Sequence, residues 1–448
     1  MLLLSDPCRV IGQPTIPSPS LALATCNSTL CKPSATTCSS NLDCECFSLT
    51  NTVNGTISGI CAIAALPCSS MLRCNSDNIT CSIAQTICVN STRCQQPVCY
   101  PMPLANIQIC PPNRITTLTS TVTNATTSPN LPALATIYPL RGSSIDIHPN
   151  ARWQQNGTTV AGGNRQGNGI NQLSYPWGLY VDDDQTIYVA DTSNNRIVEW
   201  KLGAKSGQVV AGGNGQGSGN HQLSSPEDVI VDKGTDSLII CDGSNARVVR
   251  WSRRNGTSGE TIISNISCLG LTMDENGSLY VVDDGKYEVR RYRRGDSQGI
   301  VVAGGNGSGN RLDQLSHPEY VFVDRNHSVY VSDWENDRVM KWMEGAKQGI
   351  VVAGGQGEGN GLTQLSFPEG VVVDQLGTVY VADQVNNRIM RWPKGATQGS
   401  VIIGGNGSGG QSNQFYWPLG LSFDRYGNLY VVDCGNHRVQ KFNIESNN

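Results

Sequence analysis

Three glutamates in the second half of the chain occupy one repeated position. Glu227, Glu319 and Glu369 each follow a proline directly, at matching points of a recurring pattern. Carboxylate oxygens are ligands that Ca²⁺ prefers, so three acidic groups around one opening could hold this ion. Because Ca²⁺ takes six or more oxygen ligands, three solvated carboxylates at a rim are the alternative interpretation. The sequence thus offers a calcium site as one hypothesis and implies no other cofactor.

Other arrangements that carry chemistry are not supported by the sequence. The five histidines do not share equivalent positions, whereas a catalytic metal held by histidine needs convergent imidazoles. Glycine-rich loops such as GNGQGSG lack the following Lys-Ser/Thr and helix of a phosphate-binding loop. No Ser-His-Asp set can be assembled from the sequence. These residues favour a binding protein over an enzyme.

The glutamates lie within a pattern that recurs six times after residue 151. Each copy has an apolar run ending in Asp, then Tyr-Val-x-Asp, a turn with Asn, and Arg-Val/Ile-x-x-Trp. The second Asp of each copy falls at Asp191, Asp242, Asp283, Asp333, Asp383 and Asp433. One interval between these positions is 41 residues and the others are 50 or 51. Such a period indicates a repeat architecture.

Each copy offers four short strands. In the first copy we predict strands at 178–182, 186–190, 196–200 and 208–212, because apolar and polar residues alternate there. Four strands in each of six repeats predict an all-β fold, a six-bladed β-propeller. The last copy lacks a fourth strand, and a spare run at 158–162 precedes the first copy. We expect that run to complete the sixth blade and close the ring.

The repeated segments resemble NHL repeats over about 153–442. The resemblance rests on Tyr188-Val189-Ala190-Asp191, Asn195-Arg196-Ile197 and their counterparts down to Asn436-His437-Arg438-Val439. YWTD propellers are the neighbouring alternative, but the Trp-Thr is not kept here. The Gly-rich VAGG loops and the Asn-x-Arg favour NHL. The resemblance implies an NHL-type six-bladed propeller, and a repeated Asp and Arg that serve folding rather than catalysis.

The cysteines divide the chain. Of 17 cysteines, 14 fall between Cys8 and Cys110. Dense, even spacing without histidine or Cys-x2-Cys pairs indicates a disulfide framework rather than a zinc module. We therefore predict a small disulfide-rich region at 1–110, a Thr/Ser/Pro-rich linker at 111–150 and the propeller at 151–448. The connectivity of the 14 cysteines cannot be deduced from spacing.

Composition indicates an extracellular protein, secreted or part of an ectodomain. Twelve N-glycosylation sequons accompany the disulfide-type region. They are Asn27, Asn54, Asn78, Asn90, Asn124, Asn156, Asn255, Asn265, Asn276, Asn306, Asn326 and Asn406. The net charge of −4 argues against a nucleic-acid partner. No apolar run is long enough for a membrane span. The opening MLLLSDPC is too short for a signal peptide, so an upstream signal or anchor stays open.

Two of the remaining cysteines border the shortest repeat interval. Alternating strand directions place the second-to-third-strand turns and the Gly-rich loops on one face of the ring, which we call the loop face. Between the second and third copies the Gly-rich loop is nearly missing, which leaves a notch at 265–267. Cys241 and Cys268 are predicted to lie at this notch, and we hypothesise a disulfide between them. A Cα separation above about 7 Å would exclude it.

The sequons leave one sector of the ring free. On the loop face lie Asn265, Asn306 and Asn406. On the opposite face lie Asn255, Asn276 and Asn326. Blades 6 and 1 carry none in their turns, so we predict that this sector meets a partner or the Cys-rich region. Its candidate contacts are Trp177, Arg165, Tyr416 and Trp417, since aromatic residues and Arg are favoured at interface hot spots. The alternative is that these tryptophans pack the blade tops.

The sequence thus predicts an extracellular glycoprotein whose propeller is a rigid platform for a protein or glycan ligand. The alternative is a cation-dependent hydrolase or lyase that acts at the propeller channel. That alternative follows from the similarity of such propellers to amidating lyases and to lactonases, which bind a cation with carboxylates and Asn.

Overall fold

The structure of the protein is a computed structural model. It describes residues 25–27, 44–49, 58–63, 73–75, 81, 86–91, 96–101, 147–148, 150–254 and 256–445. The chain divides into two compact units, Met1–Asn130 and Leu131–Asn448. In the described ranges no helix has the length and apolar character needed to cross a membrane.

The first unit contains one five-stranded antiparallel sheet. Its strands are β1 (Thr25–Asn27), β2 (Cys44–Leu49), β3 (Ser58–Ile63), β4 (Thr86–Ser91) and β5 (Gln96–Pro101), in the order β1-β3-β2-β4-β5. Two disulfides, Cys74–Cys88 and Cys81–Cys99, belong to this unit. The prediction of a disulfide-stapled region is therefore confirmed for the part that the structure describes.

The second unit consists of six four-stranded antiparallel sheets arranged as blades. Blade 1 comprises β7 (Leu179–Val181), β8 (Ile187–Asp191), β9 (Arg196–Trp200) and β10 (Gln208–Gly212). Blade 2 comprises β11 (Pro226–Asp232), β12 (Ser237–Asp242), β13 (Arg247–Ser252) and β14 (Gly259–Ser264). Blade 3 comprises β15 (Cys268–Met273), β16 (Leu279–Asp283), β17 (Glu288–Tyr292) and β18 (Ile300–Gly304).

The remaining blades repeat this order. Blade 4 comprises β19 (Pro318–Val323), β20 (Val329–Asp333), β21 (Arg338–Trp342) and β22 (Ile350–Gly354). Blade 5 comprises β23 (Pro368–Val373), β24 (Val379–Asp383), β25 (Arg388–Trp392) and β26 (Ser400–Gly404). Blade 6 comprises β27 (Pro418–Phe423), β28 (Leu429–Asp433), β29 (Arg438–Phe442) and β6 (Thr158–Gly162). The six-bladed propeller predicted from the repeats is confirmed.

The ring is closed by a strand from the beginning of the propeller. β6 pairs antiparallel with β29, in a register that sets Thr158 opposite Lys441 and Gly162 opposite Arg438. Closure extends further than the sequence predicted. The buried Trp153 donates its indole N–H to the carbonyl of Gly427 at 2.9 Å. A closed ring leaves few free sheet edges for other chains to pair with.

A buried Asp–Arg pair anchors each Gly-rich loop. In blade 5, Arg388 donates from Nε to Asp383 Oδ2 at 2.6 Å, and Asp383 Oδ1 accepts the backbone N–H of Ser366. The other guanidinium nitrogens of Arg388 donate to the carbonyls of Asn360, Gly361 and Gln364. The equivalent pairs are Asp191–Arg196, Asp242–Arg247, Asp333–Arg338 and Asp433–Arg438. The repeated Asp and Arg are therefore architectural.

A disulfide occupies the notch between blades 2 and 3. β14 ends at Ser264 and β15 begins at Cys268, so the Gly-rich loop found elsewhere is replaced by a short connection. Cys241 and Cys268 are disulfide-bonded with their Cα atoms 5.6 Å apart, inside the limit stated above. Cys434 is buried and carries a free thiol.

We expect the notch disulfide to contribute substantially to the stability of the propeller. Loss of a crosslink between cysteines 27 positions apart restores chain entropy to the unfolded state. That entropy corresponds to about 3 to 4 kcal/mol. The double variant Cys241→Ala/Cys268→Ala should lose about this much free energy of unfolding in denaturant titrations. Cys434→Ala is the control, because it removes a buried sulfur without breaking a crosslink. Equal losses in both variants would contradict the prediction.

Candidate functional site

The mouth of the propeller channel on the loop face is lined by one residue from each blade. This position follows the repeated proline that opens the innermost strand, or Cys268 in blade 3. From blade 1 to blade 6 the residues are Trp177, Glu227, Leu269, Glu319, Glu369 and Leu419. We call this set the inner ring. The three glutamates predicted from sequence belong to it, as does Trp177, which the sequence analysis had assigned only to the surface of one sector.

The next residue along each inner strand is glycine in four blades. These are Gly178, Gly270, Gly370 and Gly420. Neighbouring strands approach so closely at the axis that a Cβ on Gly370 would overlap the carbonyl oxygen of Leu419. The exceptions are Asp228 in blade 2 and Tyr320 in blade 4. Around the axis, just below the inner ring, only blades 2 and 4 therefore carry a side chain larger than that of glycine.

Tyr320 crosses the axis beneath the inner ring. Its hydroxyl donates to the backbone carbonyl of Trp177 at 3.0 Å, which joins blade 4 to blade 1 on the opposite side. Tyr320 is buried, with 3% of its surface exposed. The channel is therefore closed by a tyrosine beneath the inner ring. We call the channel mouth above Tyr320 the mouth pocket. Tyr320 was not predicted from the sequence, although a tyrosine at a position that is glycine in four of the other blades was a signal for it.

The three glutamates of the mouth pocket are more buried than the alternative interpretation of solvated carboxylates assumed. Glu369 exposes only 1% of its surface, and Glu227 and Glu319 are partly buried. One carboxylate oxygen of each is buried without a hydrogen-bond partner. Gln384 donates to the other oxygen of Glu369 at 3.2 Å. Buried, unpaired carboxylate oxygens are costly and call for a proton or a cation.

The pKa values of these carboxyls are raised. Burial, with a smaller contribution from Asp228, raises the pKa of Glu227 to about 7. Burial raises the pKa of Glu319 well above its usual value, and the charges of Glu369, Asp284 and Glu227 raise it further. Burial also raises the pKa of Glu369 well above its usual value, and the nearby Trp334 side chain partly offsets this rise. In the described part of the chain no Lys or Arg contributes to these shifts.

Two more titratable groups border the mouth pocket. Asp284 lies 3.1 Å from Nδ1 of His317, and burial raises the pKa of this carboxyl despite the imidazole. Burial and the nearby Glu369 raise the pKa of the Cys434 thiol to about 12, so the thiol stays protonated at neutral pH. The pocket therefore brings several acidic groups close to the partly exposed His317.

The spacing of the glutamates differs from that of a metal cage. Among the described residues, one trio of His, Cys, Asp or Glu has all its ligand atoms within 4.8 Å of one another, namely Cys74, Cys81 and Cys99. All three of those sulfurs are in disulfides. Glu227, Glu319 and Glu369 do not reach this spacing. The hypothesis of calcium at these glutamates stays a prediction.

The remaining residues predicted as contacts surround the pocket on the side of blades 6 and 1. Tyr416 and Trp417 are about 40% exposed and stack with ring centroids 4.6 Å apart. Arg165 is exposed in the first Gly-rich loop. Trp177 is partly buried and packs against the hydrophobic cores on both sides of it. The structure therefore presents three of these residues to solvent and places the fourth in the inner ring.

An aromatic rim around the pocket was only partly predicted from the sequence, which pointed to Trp417 but to none of the other residues before the repeated prolines. The residue before each repeated proline has a positive φ between 47° and 59°, a conformation that is strained for side chains other than glycine. These residues are Tyr175, Ser225, His317, Phe367 and Trp417. Backbone strain of this kind concentrates at functional sites. The repeated aromatic-Pro dipeptide was the signal that could have revealed the rim.

Hydrogen bonds between neighbouring blades, which we call clasps, hold the residues that precede the repeated prolines. Asn387 accepts the backbone N–H of Trp417 at 3.0 Å, and His437 Nδ1 accepts that of Tyr175 at 3.2 Å. Asn195 and Asp337 accept the equivalent N–H groups of Ser225 and Phe367. The His437 clasp joins blade 6 to blade 1, so it also contributes to ring closure.

The described sequons of the propeller are all exposed. They are Asn156, Asn265, Asn276, Asn306, Asn326 and Asn406. Asn255 and the sequons Asn54, Asn78 and Asn124 lie outside the described residues, and Asn27 and Asn90 lie in strands of the first unit. Asn156 accepts a hydrogen bond from Ser412 beside the outer strand of blade 6. One sequon therefore borders the sector that was expected to be free.

The repeats match a known family. The NHL repeat model matches residues 173–200, 365–391 and 415–442, which lie in blades 1, 5 and 6. Together with the six-bladed ring, these matches show that the chain carries NHL repeats in a β-propeller. No curated protein matches the chain in sequence.

Solved structures share the architecture. A structural genomics protein of unknown function from Bacteroides thetaiotaomicron is 17% identical, with a TM-score of 0.54 over 66% of this chain and 77% of its own. An auxiliary nutrient binding protein from the same organism is 16% identical, with a TM-score of 0.52 over 66% of this chain and 78% of its own. A gluconolactonase from Xanthomonas campestris is 12% identical, with a TM-score of 0.46 over 69% and 98%. At these identities the similarity concerns the fold alone.

Proposed function

We propose that the protein is an extracellular glycoprotein that uses the loop face of its propeller as a rigid surface for binding a protein or glycan ligand. The observation that carries the proposal is the exposed aromatic rim around a pocket with a closed floor. Tyr175, Tyr416 and Trp417 are each about 40% exposed in blades 6 and 1. Large aromatic residues on a fixed backbone suit the centre of an interface, because they lose little entropy on binding.

The extracellular assignment draws on covalent chemistry. Disulfides such as Cys74–Cys88, Cys81–Cys99 and Cys241–Cys268 persist in oxidising compartments. The exposed asparagines of the six described propeller sequons are accessible to glycosylation. Glycans at Asn276 and Asn326 would cover the opposite face of blades 3 and 4, whereas the Gly-rich loop of blade 1 at 164–175 carries no sequon and would stay available to a ligand.

The rigidity of the platform comes from its loops. The Asp–Arg pairs and the clasps between blades hold the loop-face backbone at several points. A preorganised surface loses little conformational entropy when it binds. The auxiliary nutrient binding protein with the same architecture is an instance of this fold in a binding role.

The alternative function is a cation-dependent hydrolase or lyase. It is favoured by the unpaired carboxylate oxygens of Glu227, Glu319 and Glu369. Because Tyr320 blocks the channel, a reactant would have to act at the mouth pocket. Calcium bound by the three glutamates would favour this function, whereas capture of an extracellular ligand through the aromatic rim favours the binding protein.

The binding proposal predicts a loss of ligand capture when the rim is truncated. The full chain, secreted from eukaryotic cells, is used to capture extracellular and cell-surface proteins, and the captured ligand is then titrated. Trp177→Ala/Trp417→Ala should weaken its binding about 30-fold or more, the effect of losing a hot spot of about 2 kcal/mol. Tyr416→Ala/Trp417→Ala should do the same and removes only exposed side chains.

The matched control is Tyr426→Ala. Tyr426 is 60% exposed in a turn on the opposite face of blade 6. Its removal should leave binding unchanged. Equal binding by the wild type and both double variants would refute the proposal, as would a loss confined to Tyr426→Ala.

A further inference from the structure

We propose that the mouth pocket binds the guanidinium or ammonium head of a basic side chain, held by Glu227, Glu319 and Glu369. This inference deepens the proposed function, on which it rests for the choice of face, by giving the ligand its chemistry. It concerns an organic cation, which is a different occupant from the calcium ion considered above.

The first argument is the unmet hydrogen-bonding capacity of the pocket. Each glutamate has one buried oxygen without a donor, and Glu369 is 99% buried with that oxygen unpaired. Three unpaired acceptors match a head group that carries several N–H donors. An ammonium offers three such donors and a guanidinium five. Hydrogen bonds between charged groups are also stronger than neutral ones.

The second argument is charge. The groups around the inner ring are the three glutamates, with Asp228, Asp284 and the Cys434 thiol close by. The basic group His317 pairs with Asp284 and is about half exposed, and no Lys or Arg of the described residues contributes to the pKa shifts of the three glutamates. The acidic pocket therefore has no internal counter-ion at its centre, and a cation arriving from a ligand would supply one.

The third argument separates an organic cation from a metal ion. Oxygens bound to Ca²⁺ lie 2.3 to 2.6 Å from the ion, so they must gather within about 5 Å of one another. The ligand oxygens of the three glutamates are spread more widely than 4.8 Å. A guanidinium is broad and planar and can donate outward in several directions, so it bridges acceptors that a bare ion cannot.

The fourth argument is the composition of the pocket wall. The inner ring also contains Trp177, and Trp334 lies beside Glu369, where its side chain lowers the pKa of that carboxyl. Indole faces attract cations, and Leu269 and Leu419 can pack against an aliphatic stem. These residues add no oxygen ligands for a metal, but they suit the apolar stem and charged tip of Arg or Lys.

Binding of the cation is expected to release a proton from the glutamates. Because burial raises their pKa values, to about 7 for Glu227, the glutamates without a bound cation hold protons more readily than ordinary carboxyls do. A bound monovalent cation favours ionisation of a neighbouring carboxyl, which gives its proton to solvent. Affinity should therefore rise with pH. Asp228, Asp284, Cys434 and His317 face the same pocket, and we expect them to modulate this dependence.

The test is calorimetric titration of the full chain in calcium-free buffer. The probes are N-acetyl-arginine methylamide, its lysine counterpart, the uncharged citrulline analogue and calcium chloride. We expect the arginine or lysine probe to bind and the citrulline analogue to bind at least about tenfold more weakly, the effect of losing a charged hydrogen bond. Titration in buffers of different ionisation enthalpy should reveal proton release.

Variants locate the site. Glu369→Gln and Glu319→Gln keep the side-chain volume and should each weaken binding about tenfold or more. Glu260→Gln is the control, because the Glu260 side chain is 73% exposed in the outer strand of blade 2. Thermal unfolding verifies that each variant is folded.

The possible outcomes decide between the explanations. Binding of the basic probes that both pocket variants weaken supports the inference. Calcium binding at the pocket without binding of the basic probes overturns it in favour of a metal site, and failure of every probe overturns it as well. If rim variants still lose the captured ligand in either case, the inference fails while the proposed function stands.

Discussion

Replacing Arg388 by alanine is expected to reduce the free energy of unfolding of the propeller by about 3 to 5 kcal/mol, because a buried carboxylate would lose its counter-ion. Asp383 is fully buried, and its pKa is raised by burial even with Arg388 in place. The same substitution removes the guanidinium that holds three carbonyls of the Gly-rich loop at 360–364. Denaturant titration measures the loss, and hydrogen exchange should show faster exchange in that loop.

Blade 3 provides the matched control for Arg388→Ala. There Glu288 stands where the other blades have Arg, and Asp283 pairs instead with Lys286 at 2.8 Å. Asp283 is also buried, but the Lys286 side chain is 56% exposed and water can take its place, so Lys286→Ala should cost clearly less than Arg388→Ala. Equal losses in the two variants would contradict the view that burial makes the Asp–Arg pairs architectural.

The second large effect is a pH dependence of stability that arises in the mouth pocket. The folded protein raises the pKa of Glu227 from 4.5 to about 7. Between these values the folded chain holds a proton that the unfolded chain has released, so the free energy of unfolding falls as pH rises. A shift of this size corresponds to about 3 kcal/mol. Glu319 and Glu369 should add to the decline, since burial raises their pKa values as well.

The variant Glu227→Gln should therefore remove about 3 kcal/mol of this pH dependence and make the protein more stable than the wild type above pH 7. Denaturant titrations from pH 4.5 to 8 measure the effect in both proteins. Glu260→Gln, which changes an exposed carboxylate, should follow the wild-type curve. A Glu227→Gln curve parallel to that of the wild type would show that the pocket does not hold protons.

A gain in stability on removing a carboxylate would also bear on function. Buried groups that destabilise a protein are retained where activity requires them. The mouth pocket combines such groups with strained rim residues such as Trp417. Both features oppose stability at the same end of the ring, which agrees with a binding role for the loop face.

Much of the fold could be predicted from the sequence because its signals are local and repeated. The spacing of the Asp residues fixed the number of blades, and the unpaired run at 158–162 predicted the closing strand. The missing loop between copies 2 and 3 pointed to Cys241 and Cys268, which the structure joins. Each inference needed only the order of strands around a ring.

The mouth pocket was harder to predict from the sequence, because its structure depends on which side chains occupy the axis of the propeller. The register of the repeats predicted that Glu227, Glu319 and Glu369 occupy equivalent positions, but it did not predict that they are buried. Tyr320 crosses from blade 4 to blade 1 beneath the inner ring, and Trp334 lies beside the carboxyl of Glu369. Contacts across the axis join residues far apart in sequence, so no local pattern predicts them.

The measurement that tests the central claim most directly is hydrogen exchange of the full chain with and without saturating amounts of its captured ligand. If the loop face is the binding surface, protection should appear at 174–177 and 415–419, which carry the rim and inner ring of blades 1 and 6. The turns at 324–328 and 424–428 on the opposite face should exchange as in the free protein. Protection confined to those opposite turns, with none at the rim, would contradict the account.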